Sequence, residues 1–130
     1  MFEGCTSLTT VPDFPDNTQL NYNDCEYMFK GCTSLTTAPK LTSNTFNEYY
    51  YNGIYSEMFE GCTSLNSVTC LYDLPEYIDF YTFFNWLNNT ASTGTLKIAS
   101  SQRAKWNELI ETAEQESWQI LPTGWTIITE

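Results

Sequence analysis

The chain lacks histidine, has few basic residues and carries no long apolar run. Without histidine there is no usual general base near neutral pH. The Ser–His and Cys–His nucleophile pairs and the commonest transition-metal ligand are missing with it. Lys and Arg number 5 against 16 acidic residues, a formal charge of −11. A field of that sign repels phosphate backbones, so nucleic acid is not an expected partner. No stretch approaches the roughly 18–20 consecutive apolar residues of a membrane helix, and no basic segment leads into an apolar one at the start. No membrane span and no export signal are therefore expected within these residues.

Other absences close further classes. There is no Cys-x-x-Cys spacing, no Asp-x-Asp-x-Asp-Gly loop and no glycine-rich phosphate cradle. No metal and no cofactor is expected. Carboxylate pairs such as Glu57 with Glu60 or Asp73 with Glu76 would serve glycan hydrolysis only if buried and facing each other. Sixteen acids make such pairs common by proximity alone, and the plain expectation is a solvated surface.

What is present is a repeat. Met1-Phe-Glu-Gly-Cys-Thr-Ser-Leu8 returns as Met28-Phe-Lys-Gly-Cys-Thr-Ser-Leu35 and as Met58-Phe-Glu-Gly-Cys-Thr-Ser-Leu65, at periods of 27 and 30 residues. Trp86-Leu-Asn-Asn-Thr-Ala-Ser92 aligns with the block as a degenerate fourth copy that has lost Gly and Cys. Periods of this length mark solenoids, in which each unit buries its apolar side only by stacking on the next. The spacing therefore predicts an α/β or mainly β solenoid with units at about 1–27, 28–57, 58–85 and 86–98, and a distinct closing segment over 99–130. At 130 residues and 42% hydrophobic content it fits one domain with a continuous core.

Within a unit, the Gly of Phe-x-Gly-Cys suits a sharp turn or a close backbone approach. The β-prone stretches Leu8–Val11, Leu35–Ala38, Leu65 onward to Leu71 and Thr95–Ile98 predict one short parallel strand per coil. The intervening halves, 16–27, 43–57 and 73–85, are rich in Asn, Asp, Thr and aromatic residues, which suits turns and single helical turns. Equivalent side chains should stack as columns: Cys5, Cys32 and Cys62; Leu8, Leu35 and Leu65; Phe2, Phe29 and Phe59. The three repeat cysteines are expected as free, buried thiols, because an odd total of five leaves one unpaired and the spacing follows the repeat. In the closing segment, Ser100 or Ser101 could cap a helix from Arg103, with Trp106, Leu109, Ile110 and Ala113 on one face. Leu121-Pro-Thr-Gly124 then turns into a strand at Trp125–Ile128.

The words Met28-Phe-Lys-Gly-Cys-Thr-Ser-Leu-Thr-Thr-Ala-Pro39, with close copies at 1 and 58, resemble the BspA-type leucine-rich repeats of bacterial surface proteins. The resemblance covers about 1–98. The ending Thr123-Gly-Trp-Thr-Ile127 also looks like that of gut Bacteroidetes members. It implies a right-handed solenoid, export to the cell surface, a role in adhesion or host contact, and no catalytic residues. Because Met1-Phe2 already belongs to a unit, the chain is read as a C-terminal repeat fragment of a longer secreted protein, with a native start as the alternative.

Two features are candidate binding surfaces. Thr10, Thr37, Ser67 and Thr69 would line the exposed face of the strands, although Thr and Ser also suit an unoccupied β-surface. Tyr49, Tyr50, Tyr51 and Tyr55 form a cluster that could contact protein or sugar, or be buried with backbone-bonded hydroxyls. The expected function is a non-catalytic interaction module for a protein or glycan. The alternatives are a structural spacer or cap, or less favourably a glycan-active enzyme.

Overall fold

A computed structural model of the chain describes residues 2–14, 19–20, 25–41, 45–46, 53–71, 73–74 and 80–130, with 19–20 and 45–46 described as backbone. It is a mixed α/β structure whose main elements are a small open parallel sheet and one helix. In chain order come β1 (Gln19–Leu20), β2 (Thr45–Phe46), β3 (Ser67–Cys70), β4 (Gly94–Ile98), α1 (Arg103–Gln115) and β5 (Trp125–Thr129). Short 3-10 turns occupy Phe80–Phe83 and Ser100–Gln102.

The three-stranded sheet has the order β3-β4-β5, all parallel. Alternation along these strands separates two faces. Val68, Leu96 and Ile127 share one register line, and Cys70 and Ile98 the line two residues on, pointing to the core. Ser67, Thr95 and Thr126 share the line on the opposite face.

The repeated words lie side by side. Phe2, Phe29 and Phe59 N–H groups donate to the carbonyls of Met28, Met58 and Trp86 at 2.8, 2.9 and 3.0 Å. Gly4, Gly31 and Gly61 N–H groups donate to those of Lys30, Glu60 and Asn88 at 2.7, 2.8 and 2.9 Å. The same pairing runs just upstream, from Cys25 and Tyr27 to Ile54 and Ser56, and from Tyr55 and Glu57 to Thr82 and Phe84. These backbones turn instead of extending. Gly61 has φ +76°, and an added Cβ would stand in ordinary contact, 3.6 Å from the Gly31 Cα, so the left-handed backbone and not lack of space calls for glycine here. The degenerate copy keeps this conformation with Asn89 (φ 57°), the side chain that tolerates the left-handed region best after glycine.

Identical residues in register form columns. The Phe2, Phe29 and Phe59 rings stack at centroid separations of 5.4 and 5.7 Å with interplanar angles of 5° and 4°. Offset stacks of this kind add about 0.5–1.5 kcal/mol beyond burial. The column ends at the fourth copy, where Trp86 tilts against Phe59 and meets Phe83 edge-on at 4.7 Å. There α1 docks: Trp106, Leu109 and Ala113 are buried, and Ile110 is partly buried against the core. Trp106 lies 4.8 Å from Phe83 and 6.0 Å from Trp86. Its Nε1 has no acceptor among the described residues, so ring packing alone holds it. The start of α1 is tied to the third unit, because Leu74 N–H donates to Gln102 Oε1 at 3.0 Å and Lys105 Nζ donates to the Leu74 carbonyl at 2.9 Å.

Several local expectations need correction. Leu8–Val11 forms no strand, and Leu35–Ala38 contributes only an isolated bridge, Thr37 with Ser67, followed by Leu41 with Cys70. Pro12 and Pro39 lack the N–H a ladder needs, and next to Pro12 it is a side chain that meets the second unit: Asp13 Oδ1 accepts from Lys40 N–H at 2.6 Å. The connecting halves of the first two units contain a parallel strand pair, β1 with β2, where turns and helical turns were expected. No serine side chain caps α1. A 3-10 turn over Ser100–Gln102 leads into it, which places the serines a turn ahead of the helix proper.

The closing strand rests on a close approach. Trp125 lies directly over Gly94, its cross-strand partner, where a Cβ would come within 2.5 Å of the indole. At Gly124 an added Cβ would stand 1.8 Å from the Ser92 carbonyl oxygen. Gly124→Ala should therefore lower unfolding stability by about 3 kcal/mol, while Gly4→Ala, with open space around it, should lose only about 1 kcal/mol to its positive φ. Urea denaturation of both variants decides this, and equal midpoints would contradict the assignment of Gly124 to a backbone contact.

Candidate functional site

The sequence-derived candidates separate once their positions are known. Thr37, Ser67 and Thr69 lie in or bridged to the sheet: Thr37 is bridged to Ser67, Ser67 pairs with Thr95, and Thr95 pairs with Thr126. Four hydroxyls thus follow one register line on the outward face. Thr69 stands on the neighbouring line with Lys97 and Ile128. Thr37, Thr126 and Ile128 are exposed, and Ser67, Thr69, Thr95 and Lys97 are half-buried by their neighbours in the sheet. Thr10 is exposed but stands outside any strand, so it does not extend the row.

Thr95, Thr126 and Lys97 were missed as face residues because they come from the fourth copy and the closing strand, where the repeated words have gone. The signal that could have found them is the alternation of Thr95-Leu96-Lys97-Ile98 and Trp125-Thr126-Ile127, which assigns each to a face once strand register is known.

For Tyr55 the structure selects burial over the binding role. It is fully buried, stacked on Phe83 at 5.6 Å and tilted against Trp86 at 6.5 Å, and offers nothing to a partner. Its slot, three residues before the Met-Phe pair, is shared by the buried Cys25 and Phe83 and belongs to the core. Tyr49, Tyr50 and Tyr51 lie outside the described residues.

The thiol column is graded. None of Cys5, Cys25, Cys32, Cys62 and Cys70 is in a disulfide. Cys62 Sγ donates to the Phe29 carbonyl and Cys32 Sγ to the Phe2 carbonyl, each at 3.0 Å. Each sulfur therefore reaches one unit back along the stack. Burial pushes the Cys62 thiol up to about 12, and burial also raises Cys32. Cys5 departs from the expected buried thiol: it is exposed, because no described segment covers the outer side of its unit. Phe2, at 36% exposure, and the half-buried Leu8 share that edge, whereas Phe29, Phe59, Leu35 and Leu65 are enclosed.

The acidic pair Glu57 and Glu60 is closed by a lysine from the neighbouring unit. Lys30 Nζ lies 2.6 Å from Glu57 Oε2 and 3.7 Å from Glu60 Oε2, and 5.1 Å from the Tyr27 ring centroid. Burial pushes both carboxyls up. At Glu57 the hydrogen bonds from Lys30 and Glu60 outweigh it and hold the group below its ordinary value, while Glu60, next to the Glu57 charge, stays above its own. The arrangement neutralises charge between units. Asp73, the other acid considered, is exposed and accepts from Gln102 Nε2 at 3.2 Å.

Among the described residues no group of three metal-ligating side chains occurs, and no helix is long and apolar enough to cross a membrane. Compared with known proteins, the chain matches no family model, no curated protein and no solved structure.

Three outcomes follow. Alkylation by iodoacetamide should label Cys5 rapidly and Cys32 and Cys62 only on unfolding, read by peptide mass spectrometry. The stability that comes from keeping Cys62 neutral is fully present below its ordinary value of 9.0 and is lost as pH rises toward about 12, so the denaturation midpoint should fall over that interval. A Cys62→Ala variant should flatten the alkaline slope; an unchanged slope would locate its cause elsewhere. Lys30→Glu should lower stability by about 1 kcal/mol at neutral pH. The deficit should shrink as acid protonates Glu60 and Glu57, and a pH-independent deficit would show that charge is not its origin.

Proposed function

We propose that the protein is a non-catalytic interaction module, in which residues 1–98 form successive coils of a leucine-rich-type solenoid and 99–130 closes its last coil. The hydrogen bonds from Phe29, Phe59, Gly31 and Gly61 to the next unit support the solenoid reading, because they repeat at the same positions in each copy. The docking of Trp106 and Trp125 supports the closing role of the last segment. The resemblance to BspA-type repeats carries the right-handed coil, the cell-surface location and the protein or glycan partner.

The observation that carries a binding role is the outward sheet face, where Thr37, Ser67, Thr95 and Thr126 set four hydroxyls on one line. Short polar side chains on a flat parallel sheet give donors and acceptors at regular strand spacing and expend little side-chain entropy on contact. Catalysis is disfavoured on chemical grounds. The chain has no histidine, and the Glu57–Glu60 pair is occupied by Lys30.

The test is a binding screen of the purified chain against extracellular host proteins and glycans. A Thr37→Arg, Thr126→Arg double variant should then lose at least about tenfold in affinity for any partner found, with stability changed by no more than about 0.5 kcal/mol per site. A partner that binds the double variant as tightly as the parent would remove the sheet face as the contact surface.

A further inference from the structure

At the junction of the fourth unit and the closing segment lies an open cleft of ≈ 440 Å³, within the ~300–1,000 Å³ range of small-molecule sites. Its lining is unlike that of an apolar ligand pocket. Asn85, Asn88 and Gln119 supply groups that both donate and accept hydrogen bonds, Glu114 supplies acceptor oxygens, and Trp118 supplies one aromatic wall. A second depression of ≈ 240 Å³ adjoins it, sharing Asn88 and Gln119 and continuing over Thr90, Ser92 and Thr123. The two adjoin as one trough, with Trp118 in the wall of the first part and Leu87 and Pro122 among the polar groups of the second.

The aromatic wall is fixed in place. Trp118 is set offset-parallel to Tyr81 at 6.2 Å and meets Phe84 edge-on at 5.2 Å. Tyr81 remains 51% exposed beside it. The backbone that delivers Trp118 is a closed helix end: Ser117, at φ 68°, ends α1, with Ser117 N–H donating to the Glu114 carbonyl and Trp118 N–H to that of Ala113. A left-handed residue just past the C-cap is a common helix ending, and here it turns the chain into Trp118. The trough is framed by two further indoles, since Trp86 Nε1 donates to the Ile120 carbonyl and Trp125 Nε1 to that of Ala91, both at 2.9 Å. The site is therefore pre-organised, which lowers the ordering cost of binding.

We propose that this trough binds a neutral oligosaccharide, with Trp118 packing against the C–H face of one sugar ring, Tyr81 backing the indole, and Asn85, Asn88 and Gln119 exchanging hydrogen bonds with its hydroxyls. The inference rests on the reading of the protein as a binding module. Two adjoining depressions that carry amides and hydroxyls, with an aromatic wall in the first, suit consecutive sugar units better than an apolar metabolite. The net charge of −11 and Glu114 in the wall disfavour uronic or sialic acids. Glu114 is a single carboxylate among the lining residues, where glycoside hydrolysis employs two, so the trough holds sugar without cleaving it.

Of the four tryptophans, Trp86, Trp106 and Trp125 are buried and Trp118 is half-exposed, so collisional quenching by acrylamide reports on the trough. The full chain is titrated with cello-, manno- and chito-oligosaccharides from trimer to hexamer, with sialyllactose, oligogalacturonate and an unstructured peptide mixture as comparators. At least one neutral series should protect Trp118 from acrylamide with saturation below about 10 mM and give matching heat by calorimetry. Gln119→Ala and Asn88→Ala should each weaken that binding at least about tenfold while the melting temperature holds, and the sheet-face double variant Thr37→Arg, Thr126→Arg should leave it unchanged. The proposal is overturned if no neutral oligosaccharide saturates, if only the charged sugars or the peptides respond, or if Gln119→Ala and Asn88→Ala bind as the parent does. Capture of a protein through the sheet face with no sugar response removes the trough alone; silence on both surfaces removes the binding reading with it.

Discussion

The structure depends on one hydrogen-bond pairing, repeated from unit to unit: the N–H of the Phe and of the Gly in Phe-x-Gly donates to the carbonyl one position before each equivalent residue in the following unit. Because it recurs at the same two positions, it fixes not only that neighbouring units touch but which residue lies against which. Identical side chains must then fall into columns, which is why Phe2, Phe29 and Phe59 stack within about 5° of parallel. The Cys32 and Cys62 sulfurs likewise meet the carbonyls of Phe2 and Phe29 in the preceding unit. The glycines make the pairing possible, since the backbone must pass through positive φ at the point of closest approach.

Where that pattern stops, different chemistry takes over. The fourth copy keeps the backbone course with Asn89 in place of glycine, but Trp86 replaces methionine and turns the aromatic column sideways into a cluster with Phe83 and Trp106. Large indoles with a donor to place suit this position, and Trp86 and Trp125 both find backbone acceptors across the junction. The departure from the repeat and the trough beside it coincide. Residues released from the columnar constraint, Asn85 and Asn88 among them, are free to differ from their counterparts Glu57 and Glu60, which are tied to Lys30.

Charge follows the same logic. Lys30 occupies the x position of Phe-x-Gly where the flanking copies carry Glu3 and Glu60. In a stack of equivalent positions, three acids in a column would repel one another. A single lysine in the middle copy faces Glu57 and Glu60 instead. In a chain with 16 acids and 5 bases the placement of each cation matters, and this one lies between units, where like charges would otherwise be forced together.

The sequence alone determined the repeat and its consequences. Copying the same eight letters requires the same local conformation, and equal conformations stack, so the buried Phe29, Phe59, Leu35 and Leu65, the parallel pairing of Thr95–Ile98 and the amphipathic face of α1 were legible from spacing and alternation. Tertiary structure decided what spacing cannot encode. Cys5 is exposed because no described segment covers that edge. The row Thr37–Ser67–Thr95–Thr126 and the trough at Trp118 bring together residues from separate copies and from the closing segment. Repetition specifies a neighbour one period away, whereas a surface assembled across the end of the repeat depends on how unlike segments pack, and that is settled by side-chain volume and hydrogen-bond satisfaction in three dimensions.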